Sequence, residues 1–168
     1  MDGFPSPSLK FQAKILQFFF QFPFTETPFG GLPLIDYNGF ELAQNLTIAR
    51  YLAKKFDLAG KTAEEEALCD MIVDCTMDVI NCDFKSEKFL SETLPNAMKN
   101  FAKLLDRNGG KFFVGNCLTW ADIRFASYFE GKFEDEIGKH KCLKDHIKNV
   151  MNLPNIKAWV AKRPQTQF

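Results

Sequence analysis

The dipeptide Asn38-Gly39 constrains this chain more than any other feature. It separates two short apolar runs, Leu34-Ile35-Asp36-Tyr37 and Phe40-Glu41-Leu42. An Asn-Gly pair supplies the two positive φ angles of a two-residue turn, so a β-hairpin is expected here. After Lys61 the character changes, and apolar residues recur at helical spacing. The fold class expected is α+β, with a small β-containing domain over residues 1–58 and an all-helical domain over 62–168.

Before the hairpin, Phe11, Ile15, Phe18 and Phe19 recur at helical spacing, while Phe20, Phe22 and Phe24 leave the end open between helix and strand. After it, Asn45 reads as a helix N-cap. Leu46, Ala49, Leu52, Ala53 and Phe56 would share one face, and the helix should stop near Asp57 to Gly60. Thr62 to Asp83 reads as one long helix, with Ala67, Met71, Cys75, Met77 or Asp78, and Cys82 along its length. A helix from Pro95 to Asp106 carries Met98, Phe101, Leu104 and Leu105, and Asn108-Gly109-Gly110 ends it. A buried helix should begin at Thr119. Two shorter ones follow, from Cys142 to Met151 and from Pro154 to Lys162, where Pro154 suits a first turn.

Hydrophobic residues make up 46% of the 168, enough for a real core. The 21 basic and 21 acidic residues balance, so the electrostatic footprint of a nucleic-acid or acidic-membrane binder is missing. Cys69, Cys75, Cys82, Cys117 and Cys142 are odd in number and form no C-x-x-C pair, which favours reduced thiols in a cytoplasmic protein. The apolar stretch from Ile15 to Phe24 is too short to span a bilayer.

Two stretches carry chemistry. In the first, Thr27-Pro28-Phe29-Gly30-Gly31-Leu32-Pro33-Leu34, a cis Leu32–Pro33 bond would leave the Leu32 backbone free to pair with an extended peptide ligand. A loop proline entering an edge strand is the other reading. In the second, Ala43-Gln44-Asn45, the helix start offers unpaired N–H groups to a carboxylate, or is simply a capped end. Thr119 and Asp122 form an S/T-x-x-D capping box, a folding feature and not an acid catalyst. Asp70, Asp74 and Asp78 repeat every four residues, as on a solvated face. His140 and His146 read as surface residues. Cys75 and Cys82 read as core or interface thiols.

Taken together, Thr-Pro-Phe-Gly-x-Leu-Pro-Leu, the Asn-Gly hairpin and Leu-Ala-Gln-Asn-Leu-x-Ile-Ala-Arg-Tyr-Leu-Ala resemble the glutathione site of sigma-class glutathione transferases, the class that includes haematopoietic prostaglandin D synthases. Asp57 to Thr62, Phe113 to Asp122 and Pro154 to Thr166 resemble that family's linker, buried helix and C-terminus. The resemblance implies a thioredoxin-like domain followed by a helical bundle. It implies glutathione as co-substrate, a small hydrophobic electrophile as second substrate, and a homodimer. The activity implied is glutathione conjugation or a related glutathione-dependent isomerisation. Gly30, Gly31, Leu32 and Pro33 would line the glutathione site, with Leu32 pairing its backbone with the cysteinyl unit. Gln44 and Asn45 would hold the γ-glutamyl end, with Asn45 standing where serine is usual. Asp78 would reach the partner subunit's glutathione amine. Met77 replaces a carboxylate that helps bind metal in some relatives, so no metal site is expected.

The resemblance also implies a tyrosine-bearing first strand, a helix and a second strand ahead of Thr27, more than the 26 residues found there hold. The first domain is therefore expected to be truncated. Ser6 falls near the tyrosine position and Gln12 near that of a glutathione-binding arginine, and no residue is assigned as sulfur activator. A catalytically inactive structural or interaction subunit, like the lens S-crystallins, is the alternative.

Overall fold

Asn38 and Gly39 take φ angles of 55° and 85° in the computed structural model, which describes residues 27–164. Ser6, Gln12 and the helix read from Phe11 lie outside the described residues. The turn joins β1 (Leu34–Tyr37) to β2 (Phe40–Ala43), paired antiparallel from Leu34↔Ala43 to Tyr37↔Phe40. The Asp36 carboxylate accepts the Gly39 N–H at 2.7 Å and ties the turn to its own strand. The chain divides into two compact units, Met1–Leu58 and Ala59–Phe168.

In the first unit, β2 leads into α1 (Asn45–Lys55). The N-cap is Gln44 and not Asn45, which is the first helical residue. Ala53 is buried as its spacing implies, but the other buried residue is Ile48, and Leu46, Ala49, Leu52 and Phe56 are half-buried. Leu46, Ile48, Ala49, Leu52, Ala53 and Phe56 spread apolar side chains around the cylinder, so periodicity alone does not choose a face. Asp57 closes the helix at φ 57°, and the Leu58 N–H reaches back to the Ala53 carbonyl at 2.8 Å.

In the second unit, Thr62 caps α2 (Ala63–Ile80), its hydroxyl accepting the Glu65 N–H at 3.2 Å. Glu64, Glu65 and Glu66 complement the helix dipole in that first turn. Gly60 is obligatory, for at φ 106° any Cβ would stand 2.8 Å from the Glu65 Cβ. The helix ends at Ile80, short of Asp83. It buries Cys69, Ile72, Val73, Thr76 and Val79. The stripe read along its length is not the buried one, since Ala67, Met71 and Cys75 are exposed and Cys82 lies half-buried past the helix end. Two apolar stripes run side by side on this helix, and packing takes the β-branched one.

A single wide turn, Phe89–Thr93, opens α3 (Leu94–Arg107), which buries Leu94, Met98, Phe101, Ala102 and Leu105. Gly109 and Gly110 end it with positive φ angles. The central helix is α4 (Trp120–Phe129), with Trp120, Ala121, Asp122, Phe125, Ala126 and Phe129 all buried. Phe125 meets Phe129, Phe101 and Phe113 with ring centroids at 4.7, 4.9 and 5.0 Å, which accounts for part of the phenylalanine excess. A short α5 (Glu134–Gly138), not foreseen, precedes α6 (Lys141–Met151) and α7 (Pro154–Lys162).

Thr119 and Asp122 form the capping box that their spacing promises. The carboxylate, wholly buried, accepts the N–H of Phe113, the N–H of Thr119 and the Thr119 hydroxyl, each at 2.8 Å. Each of these donors, orphaned inside, would cost about 1–3 kcal/mol. His146 corrects the surface reading, for only 1% of it is exposed. Its Nδ1 lies 3.0 Å from the Lys111 carbonyl and its Nε2 lies 3.5 Å from an Asp122 oxygen. A carbonyl only accepts, so Nδ1 carries the proton and the neutral ring turns a bare nitrogen toward a carboxylate. Burial, foremost, pushes the Asp122 carboxyl above its ordinary range and the His146 imidazole below its own.

An imidazole held below its ordinary 6.5 lets the unfolded chain take its proton first as pH falls. Stability is therefore lost as pH drops through that value. Asp122, held above 3.8, acts with the opposite sign, favouring the fold on the acid side. In urea denaturation, His146→Phe is expected to flatten the fall in stability between about pH 7 and pH 5.5. Equal slopes in both proteins would remove His146 as its source.

Candidate functional site

The open end of the hairpin gathers most of the residues singled out in the sequence. Thr27 to Gly30 form a turn, closed by the Gly30 N–H on the Thr27 carbonyl at 3.1 Å, with Gly30 at φ 66°. The chain then runs through Gly31 and Leu32 into Pro33, across a cis Leu32–Pro33 bond. Leu34↔Ala43 is the last strand pair at this end. One step further, Pro33 and Gln44 leave the two strands side by side, with Gly30, Gly31 and Leu32 before one and Asn45 after the other. Leu32 is 44% exposed and Phe29 74%.

Helix α1 starts here. Its first bond runs from the Ile48 N–H to the Gln44 carbonyl at 2.9 Å, and no side chain caps the preceding amides. The Asn45, Leu46 and Thr47 amides fall among the groups an α-helix leaves without internal partners. With the helix dipole they form a place for a carboxylate. Gln44 holds φ 76° and ψ 123°, a sparsely populated combination for a residue with a Cβ. Gln44 is itself exposed, so the strain brings no burial of its side chain.

Asp78 belongs to the second unit, on the exposed side of α2. Asp74 is exposed as well, while Asp70 is half-buried. Cys69 and Cys75 offer little nucleophile character. Burial pushes Cys69 up to about 11, and burial first, then Asp78 and Asp74, raise Cys75. All five cysteines are unpaired. Among the described residues no group of three or more His, Cys, Asp or Glu is placed to hold a metal ion, and no helix is long and apolar enough to cross a membrane. The chain's tyrosines are Tyr37, Tyr51 and Tyr128. Tyr37 ends β1 beside the turn, four residues and about 13 Å of strand from Pro33.

Two polar residues escaped the sequence reading. His146 falls in register with Leu143, Ile147 and Val150, a helical spacing that marks it as inward. Arg124 is the one basic residue of α4, and its place in a largely apolar helix was the available signal.

Residues 71–163 match the family described as glutathione S-transferase, C-terminal domain. Glutathione S-transferase 1 of Ascaris suum is 37% identical over 162 residues, covering 85% of this chain and 79% of the relative. The haematopoietic prostaglandin D synthase of Homo sapiens is 34% identical, covering 84% of this chain and 77% of the relative. Among solved structures, the monomeric glutathione S-transferase Na-GST-3 of the hookworm Necator americanus superposes with a TM-score of 0.75 at 32% identity, covering 94% of this chain and 83% of that one. The strands and helices of the described residues thus follow the plan of a thioredoxin-like domain joined to a helical one. The chain belongs to the glutathione S-transferase family. Its relatives include both glutathione S-transferases and haematopoietic prostaglandin D synthases.

Glycine tolerates the Gln44 backbone conformation and alanine does not. Gln44→Gly is expected to be about 1 kcal/mol more stable than Gln44→Ala in chemical denaturation. A difference near zero would mean the helix entry is unstrained.

Proposed function

We propose that this protein binds reduced glutathione at the open end of the hairpin and conjugates it through its sulfur to hydrophobic electrophiles, or uses it in a related isomerisation. The observation that carries the reading is the meeting of Gly30, Gly31, Leu32 and Pro33 with Gln44 and Asn45 at a helix start with uncapped amides. Glutathione is an extended peptide with two carboxylates and an amine. The exposed Leu32 backbone suits its cysteinyl unit. The α1 amides, with Gln44 and Asn45, suit its γ-glutamyl carboxylate. Asp78 carries the charge to meet an amine, and in a homodimer that amine would belong to the partner's glutathione.

Reaction requires the glutathione thiol as thiolate, which attacks the electrophilic carbon and forms the thioether as a leaving group departs with its bonding pair, or as a π pair of the electrophile shifts and takes up a proton. Tyr37 is too far along its strand to serve, and no described side chain is assigned to the sulfur. That observation favours a second reading, a glutathione-binding subunit without turnover. A cytoplasmic setting fits either one, because reduced glutathione and free thiols need reducing surroundings.

The homodimer draws support from α2, where Leu68, Met71 and Cys75 turn outward on the face beside the aspartates. Leu68 is 45% exposed and Met71 40%, which leaves their apolar side chains open to a partner surface. Leu68→Lys with Met71→Lys is expected to convert a dimer to monomer in sedimentation. A wild-type monomer would remove the dimer, in keeping with the hookworm relative.

Calorimetric titration with glutathione, at millimolar ligand, tests the site. Saturable binding is expected, weakened about tenfold by Asn45→Ala through loss of one hydrogen bond to a charged group. No heat from a folded protein would overturn both readings. Binding without conjugation would select the second.

A further inference from the structure

The balanced charge of the chain hides a segregation. From Lys139 onward there are seven basic side chains and one acidic one, Asp145, so the acidic excess lies wholly before that point. Asp145 is itself paired with Lys141. The basic end culminates in α7, which buries none of its residues. Leu153, Ile156 and Val160 are half-buried and share one side by their spacing, the side set against α6. Asn155, Trp159 and Lys162 share a flank in the same way, and Trp159 is 45% exposed there. Tryptophan is favoured where protein surfaces meet.

An acidic counterpart lies elsewhere in the helical unit. It is an open groove of about 480 Å³ lined by Leu90, Leu94, Phe133, Glu134, Asp135 and Glu136. The groove runs between the wide turn that opens α3 and the start of α5. Leu94 is buried at its base, and Leu90 is 52% exposed. Phe133 holds φ 52°, a left-handed conformation that a residue with a Cβ rarely adopts. Its ring meets those of Phe89 and Phe84 at 5.6 and 5.8 Å, so the packing that enforces the strain also fixes the groove floor. Glu136 is paired with Lys139. Among the described residues no cation is paired with Glu134 or Asp135, and no acid with Lys157 or Lys162. Each patch thus combines open apolar surface with unpaired charge, and the two signs are opposite.

We propose that the helical unit takes a second copy of this chain head to tail, with α7 of one copy laid in the groove of the next. Trp159 then covers Leu90 and Phe133, and Lys162 faces Glu134 and Asp135. A helix laid in an apolar groove is a recurring mode of recognition, and opposite charges at the rim fix its register. The two faces differ, so the contact is heterologous, and each added copy leaves one groove and one helix free. It uses neither the exposed α2 face nor the hairpin end, so it stands apart from the dimer and from the glutathione reading.

Sedimentation of the full chain over a range of concentrations, at about 10 mM and about 1 M salt, reads the contact. Association beyond the high-salt species is expected at low salt. It should weaken about tenfold or more in Trp159→Ala with Lys162→Ala, and likewise in Glu134→Lys with Asp135→Lys. All four positions are exposed, so both variants should keep the fold. Fluorescence anisotropy then tells two different faces from one shared face. The labelled groove variant, titrated with the α7 variant, should bind as wild type binds itself, because that pair still holds one intact helix and one intact groove. Neither variant should gain this contact with a copy of itself. Association that ignores salt, that survives in either variant alone, or that fails to return in the mixed pair would overturn the proposal. So would a wild-type chain without such association, which would leave the groove to another partner.

Discussion

The helical unit depends on one carboxylate. Asp122 sits at the start of the most buried helix and holds together three donors that have no other place to go. One is the amide of Phe113, nine residues upstream, so the same group that starts α4 also anchors the loop before it. The rings of Phe113, Phe101 and Phe125 pack around this point. An anion in such a setting is tolerated because it accepts several hydrogen bonds, while the dry surroundings press it toward protonation. His146 places a second titratable group against it, and the pair makes the core sensitive to pH at a site without solvent exposure.

The hairpin unit follows another logic. Its polar features are left open, with an uncapped helix start, a strained Gln44 and an exposed Leu32 all at one end. Backbone strain and unmet donors persist where the surrounding structure enforces them, and they concentrate where a ligand completes the arrangement. The contrast between the units is one of satisfaction. Asp122 closes the donors it meets, whereas the hairpin end leaves its own unfilled.

Local chemistry made much of this legible. The Asn38-Gly39 turn, the Thr62 cap, the Thr119–Asp122 box, the glycines closing α3 and the proline opening α7 each act within a few residues of themselves. Their spacing in the chain is their spacing in space, so the elements fell within a few residues of expectation. The residues proposed for glutathione come together for a related reason. The hairpin register brings Pro33 beside Gln44, and an Asn-Gly turn sets that register.

The sequence by itself determined the hairpin, the order of the longer helices and the family to which the chain belongs, because turn and cap chemistry act locally. Tertiary structure alone decided which face of each helix turns inward. On α1 and α2 more than one apolar stripe was available, and packing took Ile48 over Leu46 and Val73 over Met71. It also decided the fate of the isolated polar residues. His146 is a buried partner of Asp122, 24 positions away, and Arg124 meets Met77 across 47. Contacts of that range depend on how helices are set against one another, because burial energy is shared among all the surfaces that meet and no short stretch of chain encodes it.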